Sequence, residues 1–386
     1  MSNVLIGITG CIAAYKAAAL VREFKKENIQ VKVILTKNAE KFVAPLTFRT
    51  LSENPVYTDI FSEDNETSTE HIALSKWADI LVVAPASADI IGKFANGIAD
   101  DLLSTEYLSL DKSILIVPTM NSRMYEHPSV KKNIEVLRDR GNTVIEPEKG
   151  FLACGEEGNG RFPNIKLIVM HTKRILHKSS VLKGKKVIVT GGGTIERIDP
   201  VRVIANTSSG IMADAFIEGS FLKKAESIKY IHGRISIEEN IVSQNLKSET
   251  TKEMLDALKK EIRTSDLLIM AAAVNDFKPN YSKNKIKNSN GISLKLNKNI
   301  DILLELSKIK SEAVKIGFAL ESEDAVENGL RKLKEKKLDY IVINSPVNLG
   351  KKEGSAVVYS KTGKKLVIEK TSKYTLAEQV LEWIKV

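Results

Sequence analysis

Cysteine is nearly absent. The 386-residue chain has two, Cys11 and Cys154, too few for a disulfide framework and in keeping with a reducing compartment. Long apolar runs are missing as well. The opening MSNVLIGITG carries no positive stretch, and Lys16 interrupts the apolar residues after it. Neither a signal peptide nor a membrane span is expected, and the expected location is cytoplasmic. Basic blocks interleaved with aromatics, which would mark a nucleic-acid surface, are also lacking. Lys and Arg exceed Asp and Glu to give a net charge of +10. That surplus is spread thinly, mostly as lysine, and reads as solvated surface with some cations left to serve phosphorylated small ligands. No nucleic acid and no membrane is expected as a partner. There is no solenoid period and no low-complexity tract.

What remains is ordinary globular material, long enough that two domains are the natural expectation. Short β-branched runs alternate with helical patterns, the signature of parallel sheets covered on both faces. In the first half the strands are VLIGITG (4–10), QVKVILT (30–36), DILVVAPAS (79–87), SILIVPTMN (113–121) and NTVIEPE (142–148), and the helices fall at 12–27, 71–77 and 130–141. The pattern breaks at the basic stretch MHTKRILHKSSVLKGKK (170–186), which marks a domain boundary. It resumes with strands at 187–192, 227–233, 266–274, 313–319 and 339–345. A hairpin about Thr362-Gly363 spans 355–370, and a closing helix puts Leu376, Val380, Leu381 and Ile384 on one face.

Open parallel sheets bind ligands beyond the carboxyl ends of their strands, and the unusual residues fall there. GITGC (7–11) follows a strand and opens a helix. Its glycines allow a phosphate to approach, although a plain tight turn accounts for them equally well. Ser87 stands at a strand end, where its hydroxyl can reach a phosphate or a ring carbonyl. Asn96-Gly97 gives a turn, and Asp100-Asp101 begins a helix that aspartates ordinarily cap. Asn121, in PTMNSRM (118–124), either offers its carboxamide to a carboxylate or closes an Asx turn. His71 is either a structural or exposed histidine or a general base. Cys154 lies in KGFLACGEEGNGRFP (149–163), a glycine-rich stretch suited to neither strand nor helix.

Taken in order, His71, APASA, PTMNSRM and ACGEEGNGR resemble the homo-oligomeric flavin-containing cysteine decarboxylases. The resemblance implies a flavodoxin-like flavoprotein domain at 1–178, binding FMN through Gly10 and Cys11, the Ser87 loop and Asp100. It also implies oxidative decarboxylation of a C-terminal cysteine. His71 is then the base, Asn121 holds the departing carboxylate, and Cys154 gives the last proton from a flap whose glycines let it open and close. A thiol near its unperturbed pKa of about 8.5 stays protonated at neutral pH, as that role requires. Thr119, Tyr125 and Phe162-Pro163-Asn164 depart from the family's usual alanine, tryptophan and Met-Pro-Glu.

In the second half, VIVTGGGTIERIDPVRVIANTSSG (187–210) is a strand followed by about 18 residues without clear periodicity, then a helix from near Gly210. Glu196 stands where a dinucleotide fingerprint needs glycine, which excludes an ordinary NAD dehydrogenase. With AAAVNDF, KIK (285–287) and GFALE, this stretch resembles phosphopantothenate–cysteine ligase. That likeness implies a second Rossmann-like domain, a doubly wound α/β unit with an added β-hairpin, at 183–386. It would use Mg2+ and CTP to form an acyl-cytidylate that cysteine then displaces. Asn206 would contact the activated acyl group; Asp276, Lys285, Phe318, Lys332 and Lys336 would bind CTP, with Asn299 and Asp301 beside the cytosine. The metal ligands are unassigned. Ile211 and Ala213 replace the usual lysine and glycine, Ile300 a proline and Ser345 an aspartate.

Both resemblances in one chain match the layout of the bacterial bifunctional enzymes of coenzyme A synthesis. They imply 4'-phosphopantothenate, cysteine, CTP and 4'-phosphopantothenoylcysteine as small-molecule partners, and a homo-oligomer, a dodecamer built from trimers and dimers. The alternative is a flavin-dependent decarboxylase whose C-terminal half only binds nucleotide or holds the oligomer together.

Overall fold

The computed structural model describes residues 2–60, 70–151, 155–234, 241–287, 293–320, 324–344 and 350–386. The chain divides into two compact units, Met1–Leu176 and His177–Val386.

In the first unit, six strands form one parallel sheet: β1 (Asn3–Ile8), β2 (Gln30–Leu35), β3 (Val56–Tyr57), β4 (Ile80–Ala86), β5 (Ser113–Pro118) and β6 (Thr143–Val144). Their order is β3-β2-β1-β4-β5-β6. Without the two-residue edge strand β3, the remaining five run in the flavodoxin order 2-1-3-4-5. The chain builds outward from β1 on one side, then returns to lay β4 on the other. The switch point therefore lies beyond the ends of β1 and β4, where GITGC and Ser87 sit. The helices are α1 (Ala14–Lys26), α2 (Lys37–Glu40), α3 (Pro45–Ser52), α4 (Glu70–Trp77), α5 (Ala88–Asn96), α6 (Leu102–Ser109), α7 (Ser122–Glu126), α8 (Pro128–Asp139) and α9 (Ile165–Leu176). On α1, Ala14, Ala17, Leu20, Val21 and Phe24 recur at helical spacing and bury one face against the sheet. Phe94 of α5 and Tyr107 of α6 stack at 4.0 Å on the other face.

The glycine-rich stretch differs from its sequence reading. Its flanks are strands, β7 (Glu148–Phe151) and β8 (Glu157–Arg161), paired as an antiparallel ribbon from Glu148↔Arg161 to Phe151↔Glu157. Cys154 lies outside the described residues.

The second unit has a sheet of eight strands in the order β13-β12-β9-β14-β17-β18-β19-β20. These are β9 (Lys186–Gly191), β12 (Ser227–His232), β13 (Gln244–Lys247), β14 (Leu267–Met270), β17 (Val314–Leu320), β18 (Tyr340–Asn344), β19 (Glu353–Ser360) and β20 (Lys365–Ser372). The first six in chain order are parallel; β19 and β20 form the expected antiparallel hairpin at one edge. The segment after β9 is not irregular throughout, because β10 (Ile195–Arg197) and β11 (Val203–Ala205) pair within it. A second small ribbon joins β15 (Phe277–Pro279) and β16 (Leu296–Lys298). The helices are α10 (Ile211–Leu222), α11 (Thr251–Glu261), α12 (Ile302–Leu306), α13 (Ala325–Glu335) and α14 (Lys373–Trp383). Leu376, Val380, Leu381 and Ile384 are all buried, as the periodicity of the closing helix predicts. The switch point lies beyond β9 and β14, where Ala273 N–H donates to Gly192 O (2.8 Å) and Thr194 N–H to Ala273 O (3.1 Å).

Candidate functional site

The turn after β1 separates two cavities of the first unit. One, of about 510 Å³, is lined by Gly10, Ser87 and Asp100 together with Thr9, Lys37, Asn38 and Lys93. Three residues expected from sequence to hold a flavin thus share one space. Thr9, which the motif reading passed over, joins the two strand ends. Its buried hydroxyl donates to Pro85 O (2.8 Å) and accepts from the Ser87 N–H (2.9 Å). Ser87 caps α5, accepting from Ile90 N–H at 3.4 Å. Asp101 caps α6 with a reciprocal box to Ser104, and Asp100 beside it turns to Lys93. The Lys93 ammonium lies 2.9 Å from Asp100, 3.1 Å from Asp101 and 3.5 Å from Asp89. Burial pulls its pKa down, but the hydrogen bonds to Asp100 and Asp101 and the surrounding carboxylate charge more than offset this and hold it above the ordinary range.

Hydroxyls of Thr36 and Thr58, the amide of Asn38 and the cation of Lys37 line this cavity with the apolar Ile34, Leu102, Leu103 and Met124. A space of this size, polar at one part and apolar at another, fits a flat ring with an anionic tail.

The other cavity, of about 630 Å³, holds Cys11 and Asn121 with Tyr15, Lys16, Phe151 and Arg161. Cys11 is thus parted from Gly10 and faces this second space. Burial pushes its thiol pKa up, against the Ala13 N–H and Lys16. Asn121 caps α7, its Oδ1 accepting from Arg123 N–H at 2.8 Å. The Asx turn and a cavity-lining position therefore coexist. The Lys16 pKa is pushed down, first by burial, then by the Arg161 charge, with Glu148 opposing. Lys16 also lies 5.7 Å over the ring of Phe162, which is buried in the core; this gives the departure at 162 a packing role. Tyr125, another departure, donates to Glu146 and carries Lys131 over its ring at 3.9 Å. Thr119, a third, is buried.

The glycines of the ribbon serve close approach. Gly160 has φ +136°, and a Cβ there would sit 2.1 Å from Met120 O, while one at Gly158 would sit 2.6 Å from the Ser122 Cβ. The ribbon lies directly on the Asn121 loop, and Met120 N–H donates to Gly160 O at 3.1 Å. His71, half-buried in the first turn of α4, lines neither cavity.

In the second unit the expected residues divide. Asn206, exposed, donates from Nδ2 to Val274 O (3.0 Å), joining the segment after β9 to that after β14. Asp276 and Lys285 are exposed. The backbone of the KIK stretch is fixed at Ile286, whose N–H donates to Asp199 (3.2 Å) and whose carbonyl accepts from Arg202 (3.0 Å). Asp301 caps α12 through Leu304 N–H (3.1 Å) and pairs with Lys336 at 3.0 Å. Lys332 lies on α13, whose C-cap is Lys336. Phe318 packs edge-to-face on Phe216 at 5.6 Å. Asn299 is a brace. Its Nδ2 donates to Glu196 (2.8 Å), Thr251 (3.1 Å) and Asn275 O (3.1 Å), and its Oδ1 accepts from Ile300 N–H (2.9 Å). Ala213, a departure, is a core residue whose Cβ is 2.5 Å from where a Cβ on Gly191 would stand. Ser345, also a departure, lies outside the described residues. Among the described residues no group of three or more His, Cys, Asp or Glu could hold a metal ion, and no helix is long and apolar enough to cross a membrane.

Residues 1–177 match the family described as Flavoprotein, and residues 182–386 match the DNA/pantothenate metabolism flavoprotein C-terminal domain. The coenzyme A biosynthesis bifunctional protein CoaBC of Bacillus subtilis (strain 168) is 39% identical over 391 residues, covering 99% of this chain and 96% of that one. Its counterpart in Borreliella burgdorferi is 35% identical over 386 residues, 98% of each chain. A cysteine/cysteine sulfinic acid decarboxylase of an unknown prokaryotic organism is 39% identical over 311 residues, 78% of this chain and 86% of that one. The bifunctional relatives align through both halves, which disfavours a C-terminal half that only binds nucleotide or holds an oligomer. With two cavities at the flavoprotein switch point and a full-length match, the chain belongs to the family of bifunctional coenzyme A biosynthesis enzymes, with decarboxylase and ligase activities.

Proposed function

We propose that residues 1–178 bind FMN in the Gly10–Ser87–Asp100 cavity and decarboxylate 4'-phosphopantothenoylcysteine in the cavity of Asn121. The observation that supports this best is the second cavity itself, where Lys16 and Arg161 stand near Asn121 with no ion pair to any described residue. Two like charges left facing a cavity suit a polyanionic substrate carrying a carboxylate and a phosphate monoester. When bound, the flavin supplies hydride acceptance from the carbon bearing the thiol, and hydride return once CO2 has left. This chain's residues bind and move protons. Asn121, oriented through its Oδ1 by the Arg123 N–H, presents its amide nitrogen to the departing carboxylate. The family resemblance makes His71, which lines neither cavity, the base that takes the thiol proton, and Cys154 the donor of a proton to the enethiolate carbon.

Residues 183–386 join cysteine to 4'-phosphopantothenate. The pantothenate carboxylate attacks the α-phosphorus of CTP, pyrophosphate leaves, and the cysteine amine displaces CMP. Asn206, Asp276, Lys285, Asp301, Phe318, Lys332 and Lys336 serve the nucleotide and the activated acyl group, with Asn299 shaping the loop beneath them. Mg2+ would take Asp276 with substrate phosphates and water, which is how this ion is commonly held. The assembly is a cytoplasmic dodecamer of trimers and dimers, checked by mass in solution.

A flavin spectrum of the purified protein, CO2 release from the acylcysteine, and CMP release from phosphopantothenate, CTP, Mg2+ and cysteine test the whole. A colourless protein that takes up no FMN overturns the first half; absence of CMP overturns the second. Cys154→Ser keeps FMN and still releases CO2 but stalls at the enethiol, and full turnover by that variant removes its role as proton donor.

A further inference from the structure

Glu106, on α6, is completely buried. Its Oε1 accepts from the Ser75 hydroxyl at 2.7 Å, and that hydroxyl is also 2.7 Å from Ser109 Oγ. Its Oε2 has no hydrogen-bond partner among the described residues. Leu74, Leu102, Leu103, Tyr107 and Leu110 belong to the core cluster around it. Ser75 is on α4, four residues after His71, so the two share a face one turn apart.

An acid so placed is tolerated in its neutral form and is costly when ionised, because one hydroxyl cannot replace the lost hydration. Burial pushes its pKa up to about 7, with Ser75 pulling the other way. Among the described residues, the elements packed on α6 include α4, α5, β2 and the uncharged β1. Among the described residues their charged side chains, Glu70, His71 and Lys76, Asp89 and Lys93, and Lys32, form no ion pair with it, nor does Asp101 at the start of its own helix.

We propose that Glu106 is a positioning residue of the decarboxylase half, holding α4, and with it His71, through the Ser75 hydroxyl. This rests on His71 being the base. The test compares wild type, Glu106→Gln, Glu106→Met and Ser75→Ala as full-length, flavin-loaded chains, with CO2 release followed from about pH 5.5 to about 9. Glu106→Met and Ser75→Ala are expected to lose about tenfold in kcat with KM within about twofold. Glu106→Gln keeps the acceptor but cannot ionise. It should keep kcat and extend the alkaline limb of the profile by about one pH unit over wild type.

Normal kcat and an unchanged profile in Glu106→Met and Ser75→Ala overturn the proposal. Where Glu106→Met fails to fold, Glu106→Gln decides, and a profile superimposable on wild type overturns it. His71→Asn separates the two ideas. Normal CO2 release by that variant removes His71 from the mechanism. Amide exchange over residues 70–77 at about pH 8 then still reads the hold on α4. Slower exchange in Glu106→Gln than in wild type supports that hold, and equal exchange refutes it.

Discussion

Lys16 and Arg161 repel each other across one cavity, so each is stabilised by whatever anion enters. Replacing either with methionine is expected to raise KM for the phosphorylated acylcysteine about tenfold. The double variant should cost less than the product of the singles, since each first loss relieves the other cation. Steady-state CO2 release measures this, and independent effects would show that the two bind different groups. Lys93 is the inverse case. Lys93→Met leaves Asp89, Asp100 and Asp101 unneutralised at the cavity proposed for the flavin. FMN affinity should fall about tenfold in an equilibrium titration at low salt, and less as salt screens the carboxylates. Gly160→Ala puts a Cβ against Met120 O at a φ that disfavours side chains. A loss of about 1–3 kcal/mol in urea unfolding, together with lower CO2 release, is the expected outcome; an unchanged midpoint would show that the ribbon moves freely on its neighbour.

Elements with a strong internal period could be read from sequence. The strands of both sheets, α1 and α14 declare themselves through runs of β-branched residues or apolar stripes, and these decide burial locally. β8 could not be read this way, since EGNGR has no strand-forming side chain and is held by pairing with β7 and by contact with the Asn121 loop. β10 and β11, three residues each, are too short for a period to show. The candidate site was half legible. The motifs point to Gly10, Ser87 and Asn121 beyond strand ends and to Asp100 at a helix start, where the fold has them, but the Lys16–Arg161 pairing and the bracing role of Asn299 depend on partners distant in sequence. On α9, burial and then the Arg174 charge push His171 down to about 4. The folded protein therefore keeps this ring neutral while the unfolded chain protonates it near pH 6.5. Its contribution is present above that pH and is lost as pH falls through the folded value. Urea midpoints should decline over this window in wild type and decline less in His171→Gln.

At the scale of the whole chain, two sheets with separate cores follow one another. A ligand that binds only the folded form at about a hundredfold its Kd adds about 2.7 kcal/mol. FMN is expected to raise one calorimetric transition and CTP with Mg2+ the other. If both ligands move a single transition together, the two units unfold as one. The hairpin that closes the second sheet also bears on crowding. An outermost strand is a template for pairing with a neighbouring chain. β20 presents exposed Lys365, Glu369 and Lys370 along that border, so a second strand would have to bring its backbone against lysines that shed water reluctantly. The charge that looked like undifferentiated surface is, along this border, a guard against edge-to-edge aggregation.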